Sequence, residues 1–281
     1  MFMFDTLSKP NLNLIGLDDP ISSFDTDKKY AITDRLFKVG TKGKSFYEKT
    51  VLMFTHDLEP IINYVQTSSG GQGKKSIKSS FITNESGNIS VQEIRKGIDL
   101  VPNVVLLKEI AQNTSVTTII RIASLRKYIE HTHKKPSDES LAYHVLSSLI
   151  HGRSSPSKDA EGLELLSDEE YNIAIEYIAH YIENFDYIVT LHAYDAELIL
   201  ETYMEEHNGY FKMLILRAYT EIAEGIRETI RKANPALRKY LDETNHIEND
   251  NAYILDYQKF NIVPEYLLAE ADKLVTSLLS T

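Results

Sequence analysis

The sequence predicts an α/β region over residues 1–100, followed by a mostly α-helical region over residues 101–281. Two apolar segments, Leu14–Leu17 and Thr50–Thr55, have the length and composition of strands in a parallel sheet. Residues 67–90 are rich in Ser, Gly, Lys and Asn, which is typical of a loop between two regions. In the second region, apolar residues recur almost throughout at helical spacing.

The elements of the first region follow one another in an α/β order. A helix at the N-terminus precedes the first strand, and a second helix is predicted from about Asp25 to Phe37. The second strand ends at Thr55, directly before His56, and a helix begins near Asp57 and runs to about Val65. Within the polar loop we expect one short strand, Ile77–Thr83.

The second region is predicted to contain long amphipathic helices. Ser167-Asp-Glu-Glu170 has the form of a capping box at a helix start, and Lys232-Ala-Asn-Pro235 is a stop signal. The predicted helices are Val104–His133, Asp138–His151, Ser167–Phe185, Ala193–Glu206, Gly209–Lys232 and Val263–Leu279.

Polar residues that suit phosphate chemistry follow both apolar strands. Asp18 and Asp19 end the first strand, and His56 and Asp57 end the second. Ligands of α/β proteins bind at the carboxyl ends of parallel strands, where carboxylates hold Mg²⁺ beside a triphosphate. Each motif also has a structural interpretation, because Asp-Asp-Pro is a common turn and a single histidine after a strand is often structural. Their order and spacing favour a shared nucleotide site.

The block Asp18–Asp25 reads Asp-Asp-Pro-Ile-Ser-Ser-Phe-Asp. In this respect the chain resembles ABC-type P-loop ATPases, and among them the bacterial AAA-domain proteins typified by the anticodon nucleases PrrC and RloC. In that family the block combines the Walker B motif with the D-loop, and a switch histidine follows on the next strand. Two C-terminal segments extend the resemblance over most of the chain, Glu243–Asp250 and Lys259–Pro264.

The resemblance implies a role for each matching residue, with ATP and Mg²⁺ as ligands. Asp18 would hold Mg²⁺ through a water molecule, and Asp19 would orient or deprotonate the attacking water. His56 would contact the γ-phosphate. The residues implied for the D-loop, which reaches a second nucleotide-binding domain, are Ser22, Ser23 and Asp25.

The sequence contains no P-loop of the form Gly-x-x-x-x-Gly-Lys-Ser/Thr before Asp18, and it lacks the ABC signature motif. Gly70–Ser76 has the wrong glycine spacing and follows the switch histidine, so it is interpreted as a basic loop. Met1–Ser8 resembles the helix that follows the signature. We therefore expect the C-terminal part of a larger ATPase that does not hydrolyse ATP alone. Its partner would be the missing N-terminal half or a second nucleotide-binding domain.

A second candidate site lies in the helical region. Arg126 and Glu130 are four residues apart on one predicted helix, and His151 ends a later one. In the anticodon nucleases an arginine, a glutamate four residues later and a distant histidine form the proposed ribonuclease triad, so these residues are the matching ones. The structural alternative is that Arg126 and Glu130 form an ordinary i, i+4 ion pair and that His151 stabilises the C-terminal end of its helix. His131 and His133 lie on different helix faces, which disfavours a metal site.

Composition limits the class of protein. The chain has 281 residues, no cysteine and a formal net charge of −11, so disulfides and cysteine-based zinc sites are excluded. No apolar run is long enough to cross a membrane, and no signal peptide is indicated, which favours a bacterial cytoplasmic protein.

The charge is unevenly distributed along the chain. Residues 1–135 carry 19 Lys/Arg against 14 Asp/Glu, whereas residues 136–281 carry 11 against 27. RNA or DNA would therefore be contacted by the first half, although solvated loops and helix faces explain the same lysines and arginines.

Three functional hypotheses follow from the sequence. The first is the C-terminal portion of an ABC-type AAA ATPase in phage defence or a stress response. The second is a nucleotide-gated RNA endonuclease of the anticodon type. The third is a non-enzymatic, partner-dependent or degenerate fragment.

Overall fold

A computed structural model describes most of the chain and divides it into two compact units, residues 1–100 and 101–281. Within these units, the described residues are 12–21, 29, 46, 49–62, 78–85, 87–95, 97–132, 138–159, 161–243 and 253–280.

The first unit contains the two predicted apolar strands as parallel neighbours. β1 (Leu14–Asp18) pairs with β2 (Thr50–Phe54), and a single helical turn, α1 (Glu59–Ile61), follows β2. Alternate β1 residues are buried, and Ile15 and Leu17 pack against Phe46. This pattern places one face of the strand pair in a small core and leaves the other face exposed.

The polar loop of the first unit contains a hairpin instead of the one short strand predicted there. β3 (Ser79–Glu85) pairs antiparallel with β4 (Asn88–Ile94). The strands are joined by a tight turn in which Gly87 has a φ of 90° and donates its backbone N–H to Asn84 Oδ1 at 3.0 Å. The prediction missed β4 although Ile89 and Val91 alternate with polar residues as in a strand, and both side chains are exposed in the structure.

The second unit is helical, as the sequence predicts. A short strand, β5 (Leu100–Pro102), leads into it and pairs with β6 (Tyr253–Leu255). The helices of this unit are α2 (Asn103–Gln112), α3 (Thr118–Thr132), α4 (Asp138–Ile150), α5 (Asp168–Ala179), α6 (Tyr187–His192), α7 (Ala196–Glu205), α8 (Gly209–Ile222), α9 (Ile226–Ala233), α10 (Pro235–Glu243) and α11 (Glu265–Leu279). One large apolar core, with α8 buried along most of its length, joins them.

Two predicted helices are divided in the structure, so their predicted extents were wrong. The segment Val104–His133 breaks after α2, where the Asn113 side chain accepts hydrogen bonds from the backbone and hydroxyl of Ser115. The segment Gly209–Lys232 breaks before Gly225, which has a φ of 75° and is the N-cap of α9. Such local hydrogen bonds and left-handed residues end a helix without changing its apolar periodicity.

The capping box predicted at Ser167 is confirmed. Ser167 Oγ accepts a hydrogen bond from the Glu170 backbone N–H at 3.3 Å, and the Glu170 carboxylate accepts one from the Ser167 backbone at 2.9 Å. Lys158 approaches the same carboxylate at 2.6 Å. The Lys158 hydrogen bond and those from Ser167 lower the pKa of Glu170 to about 2.

Candidate functional site

The carboxyl ends of β1 and β2 lie side by side. Asp18 is directly opposite Phe54 in the parallel register. The Asp19 backbone N–H donates to the Phe54 carbonyl oxygen at 2.8 Å, which extends the contact between the strands by one residue. This register brings the residues that follow both strands, Asp19 and Thr55, next to each other.

Asp19 has a left-handed backbone conformation, with a φ of 42°. Aspartate tolerates this region better than most residues, although it still costs free energy relative to an ordinary turn. Two residues after Asp19, the side chain of Ile21 is fully buried and anchors the chain. Strained residues held by their surroundings concentrate at functional sites, which makes Asp19 a candidate site residue.

Thr55 connects the two strand ends through its side chain. Its Oγ1 donates to Asp19 Oδ1 at 3.4 Å and accepts from the Asp57 backbone N–H at 3.0 Å. The Asp57 carboxylate in turn forms an ion pair with Lys29. Sequence reasoning missed both Thr55 and Lys29, because threonine is common in strands and the resemblance gives Lys29 no role.

Asp18 and His56 are the exposed members of the same edge. Asp18 ends β1 on the face that points away from the core, and His56 follows Thr55. Their exposure leaves a carboxylate and an imidazole accessible to a ligand beside Asp19. The predicted D-loop residues Ser22, Ser23 and Asp25 lie outside the described residues, and so does the basic loop Gly70–Ser76.

The exposed Asp18 carboxylate is the group at this edge that could hold Mg²⁺. Among the residues that the structure describes, no group of three or more His, Cys, Asp or Glu is arranged to hold a metal. Magnesium in phosphate-transfer sites uses one or two carboxylates, with substrate phosphates and water completing its octahedron. The exposed Asp18 carboxylate fits that limited role, as a ligand or through a water molecule.

In the second unit, Arg126 and Glu130 lie on α3 and form an i, i+4 ion pair at 3.9 Å. The Arg126 Nη2 also donates to the Tyr143 hydroxyl on α4 at 2.7 Å, and its guanidinium lies 4.8 Å from the centre of the Tyr143 ring. Arg126 is therefore held between its own helix and α4 by a hydrogen bond, an ion pair and a cation–π contact.

His151 has a different partner. It follows α4, and its Nδ1 lies 3.0 Å from Glu221 Oε2 on α8. His151 is eight residues beyond Tyr143, which corresponds to about 12 Å along a helix. The structure thus pairs Arg126 with Glu130 and His151 with Glu221.

Glu221 is the centre of a buried charge cluster that the sequence analysis did not identify. Its side chain is 3% exposed, and it pairs with Arg217 at 2.5 Å and also with Arg227. Burial opposes its ionisation, but the His151 hydrogen bond and both guanidinium groups outweigh burial and lower the pKa of Glu221. The one sequence signal was the i, i+4 spacing of Arg217 and Glu221, which many surface pairs share.

Comparison with protein-family models, curated proteins and solved structures finds no match to this chain. Within the part of the chain that the structure describes, no helix combines the length and apolar character needed to cross a bilayer.

Proposed function

We propose that the first unit supplies the Walker B, D-loop and switch-histidine part of an ABC-type ATP site. The observation that carries this proposal is the register of β1 and β2, which places Asp18, Asp19 and His56 at one strand edge. This proximity is what a site for Mg²⁺ and a γ-phosphate requires of these residue types. The strained backbone of Asp19 supports the same interpretation.

In this site each residue performs one task in phosphoryl transfer. Asp18 would hold the metal ion, which when bound supplies positive charge against the phosphates. Asp19 accepts the proton of the attacking water as the new bond to the γ-phosphorus forms and the bond to the β–γ bridging oxygen breaks. His56 donates to the γ-phosphate. ADP leaves with the bonding electron pair.

The exposed face of the strand pair supports a partner that completes the site. Leu14, Leu52 and Phe54 are each more than half exposed on this face, whereas parallel strands are normally covered on both faces. A P-loop is also required, because its backbone N–H groups and lysine hold the β- and γ-phosphates. We propose that a P-loop-bearing ATPase half or a second nucleotide-binding domain covers the exposed strand face and supplies the P-loop. The complete assembly would be a bacterial defence or stress ATPase.

The test isolates the full chain with its native partners through an affinity tag and measures Mg²⁺-dependent ATP hydrolysis. Asp19→Asn is the diagnostic variant, because asparagine tolerates the left-handed backbone but is a far weaker base. We expect a loss of kcat of roughly 10²- to 10⁴-fold. Asp195→Asn is the control, since Asp195 caps α7 with its side chain and asparagine caps equally well.

Wild-type hydrolysis that Asp19→Asn does not change would contradict the ATPase proposal, as would a native assembly that does not hydrolyse ATP. If the chain is stable only with a partner and the pair has no activity, it is a non-enzymatic interaction protein or a degenerate fragment.

A second candidate function, an RNA endonuclease, is favoured by the contact between His151 and Glu221. A buried carboxylate orients the imidazole through Nδ1, and Arg227 adds a partly exposed positive charge beside them. This set suits attack of a ribose 2′-OH on the adjacent phosphorus with loss of the 5′ oxygen. Arg126 and Glu130 then have a structural role.

The nuclease hypothesis predicts RNA cleavage that leaves 2′,3′-cyclic phosphate ends and is lost in His151→Ala. The control is His180→Ala, because His180 is exposed and its ring contacts only the carbonyl of Glu176 among the described residues. Equal cleavage by the wild type and His151→Ala would exclude this site.

A further inference from the structure

The Thr55 side chain has a fixed direction at the proposed nucleotide edge. Its Oγ1 accepts the Asp57 backbone N–H at 3.0 Å, so one lone pair of the hydroxyl is occupied from within the same turn. A threonine hydroxyl has a single hydrogen, and Oγ1 donates it to Oδ1 of Asp19, the residue after β1, in a long hydrogen bond of 3.4 Å. The hydroxyl therefore connects the turn after β2 with the carboxylate after β1.

The turn itself is held in place by charge. The Asp57 carboxylate forms an ion pair with Lys29, and both side chains are 18% exposed. An ion pair that is largely withdrawn from solvent is screened less than a surface pair. The two carboxylates at this edge therefore have different environments. The Asp57 carboxylate is paired with Lys29, whereas the Asp19 carboxylate accepts a hydrogen bond from Thr55.

We propose that Thr55 is a positioning residue for Asp19 in ATP hydrolysis, an inference that rests on the proposed function. The Thr55 hydroxyl holds Oδ1, which leaves Oδ2 as the oxygen that takes the proton from the attacking water. The Asp19 backbone is fixed by its contact to the Phe54 carbonyl, and Thr55 fixes the remaining rotation of the side chain. General-base catalysis depends on such placement, because the base must lie within hydrogen-bond reach of the water.

The kinetic test compares Thr55→Val with Thr55→Ser in the native assembly. Valine keeps the branched shape and removes the hydroxyl, whereas serine keeps the hydroxyl. We expect Thr55→Val to lower kcat by roughly 10- to 100-fold with KM unchanged, because the hydroxyl orients the base and does not bind nucleotide. Thr55→Ser should recover kcat close to the wild type. Thr50→Val, an exposed change at the start of β2, is the matched control.

The outcomes separate this inference from the proposed function. Unchanged kcat in Thr55→Val, together with a large loss in Asp19→Asn, would overturn the positioning role and leave the ATPase proposal intact. An Asp19→Asn variant as active as the wild type would overturn both. An increase in KM without a change in kcat would make Thr55 a nucleotide contact and contradict the positioning role.

A second readout does not depend on activity. In the full chain labelled with ¹³C and ¹⁵N, three-bond couplings report the χ1 rotamer of Asp19. We expect one rotamer in the wild type and in Thr55→Ser, and averaging between rotamers in Thr55→Val. Identical couplings in all three proteins would show that the hydroxyl does not hold the carboxylate and would overturn the inference.

Discussion

Gly152 shows how a single residue fixes the junction that orients His151. It follows the histidine directly, has a φ of 64°, and a Cβ built on it would lie 2.8 Å from Ile222 Cγ2. A side chain at this position would therefore require Ile222 or the backbone at the end of α4 to shift. The close approach of the ends of α4 and α8 also brings His151 within hydrogen-bond distance of Glu221, the neighbour of Ile222.

We predict that Gly152→Ala destabilises the helical unit more than Gly225→Ala does. Gly225 also has a positive φ, 75°, but no atom lies within 4 Å of its built Cβ, so alanine there costs only the backbone strain of about 1–2 kcal/mol. At Gly152 the contact with Ile222 adds about 1–3 kcal/mol. Chemical denaturation followed by circular dichroism measures both variants. Equal losses would mean that Ile222 moves aside without cost.

At the scale of elements, α5 begins with a charged cap whose contribution depends on pH. The Glu170 carboxylate accepts hydrogen bonds from Ser167 and pairs with Lys158, which lowers its pKa from 4.5 to about 2. A carboxylate with a lowered folded-state pKa stabilises the protein above its unfolded-state pKa. That stabilisation is lost as the pH falls from about 4.5 through about 2.

We therefore predict that Glu170→Gln lowers the melting temperature at neutral pH, and that the difference from the wild type shrinks between pH 4.5 and pH 2. Glutamine keeps the capping geometry and removes the charge. Glu169→Gln is the control, since Glu169 is exposed in the same turn. Thermal unfolding at a series of pH values gives the comparison, and a difference that stays constant with pH would contradict the assignment.

Helix α5 also shows which features of this fold can be predicted from the sequence. The capping box at Ser167 was predictable because both of its hydrogen bonds join residues three apart. The parallel pairing of β1 and β2 was predictable because both strands are apolar and end in polar residues. The breaks at Asn113 and Gly225 were not, since apolar periodicity continues through them.

The residues of the candidate sites can likewise be divided into those whose neighbours the sequence predicts and those whose neighbours it does not. Asp18, Asp19 and His56 lie at strand ends, where topology alone brings them to one edge. The partner of His151 is 70 residues away in the chain, and an i, i+4 pair offers no rule that selects it. The contact between Thr55 and Asp19 could not be predicted for another reason. It depends on the left-handed backbone of Asp19, which the sequence does not specify.

At the scale of the whole molecule, the two units differ in how their apolar residues are covered. The described core of β1 and β2 consists of Ile15, Leu17 and Phe46 with a few half-buried neighbours. The core of the helical unit extends from Leu106 to Val275 and includes side chains from almost every helix. Apolar burial is the main favourable term in folding, and among the described residues most of it lies in the helical unit.

We predict that residues 95–281 fold by themselves. This fragment retains the Arg95–Asp99 ion pair, all of β5 and every described residue of the large core. A helical signal in circular dichroism and one sharp calorimetric transition are expected, because a core contributed by a single segment unfolds cooperatively. The matched comparison is the corresponding transition in the full chain. A broad, non-cooperative transition in the fragment would show that the core requires the first unit, and the two units would then have to be treated as one folding domain.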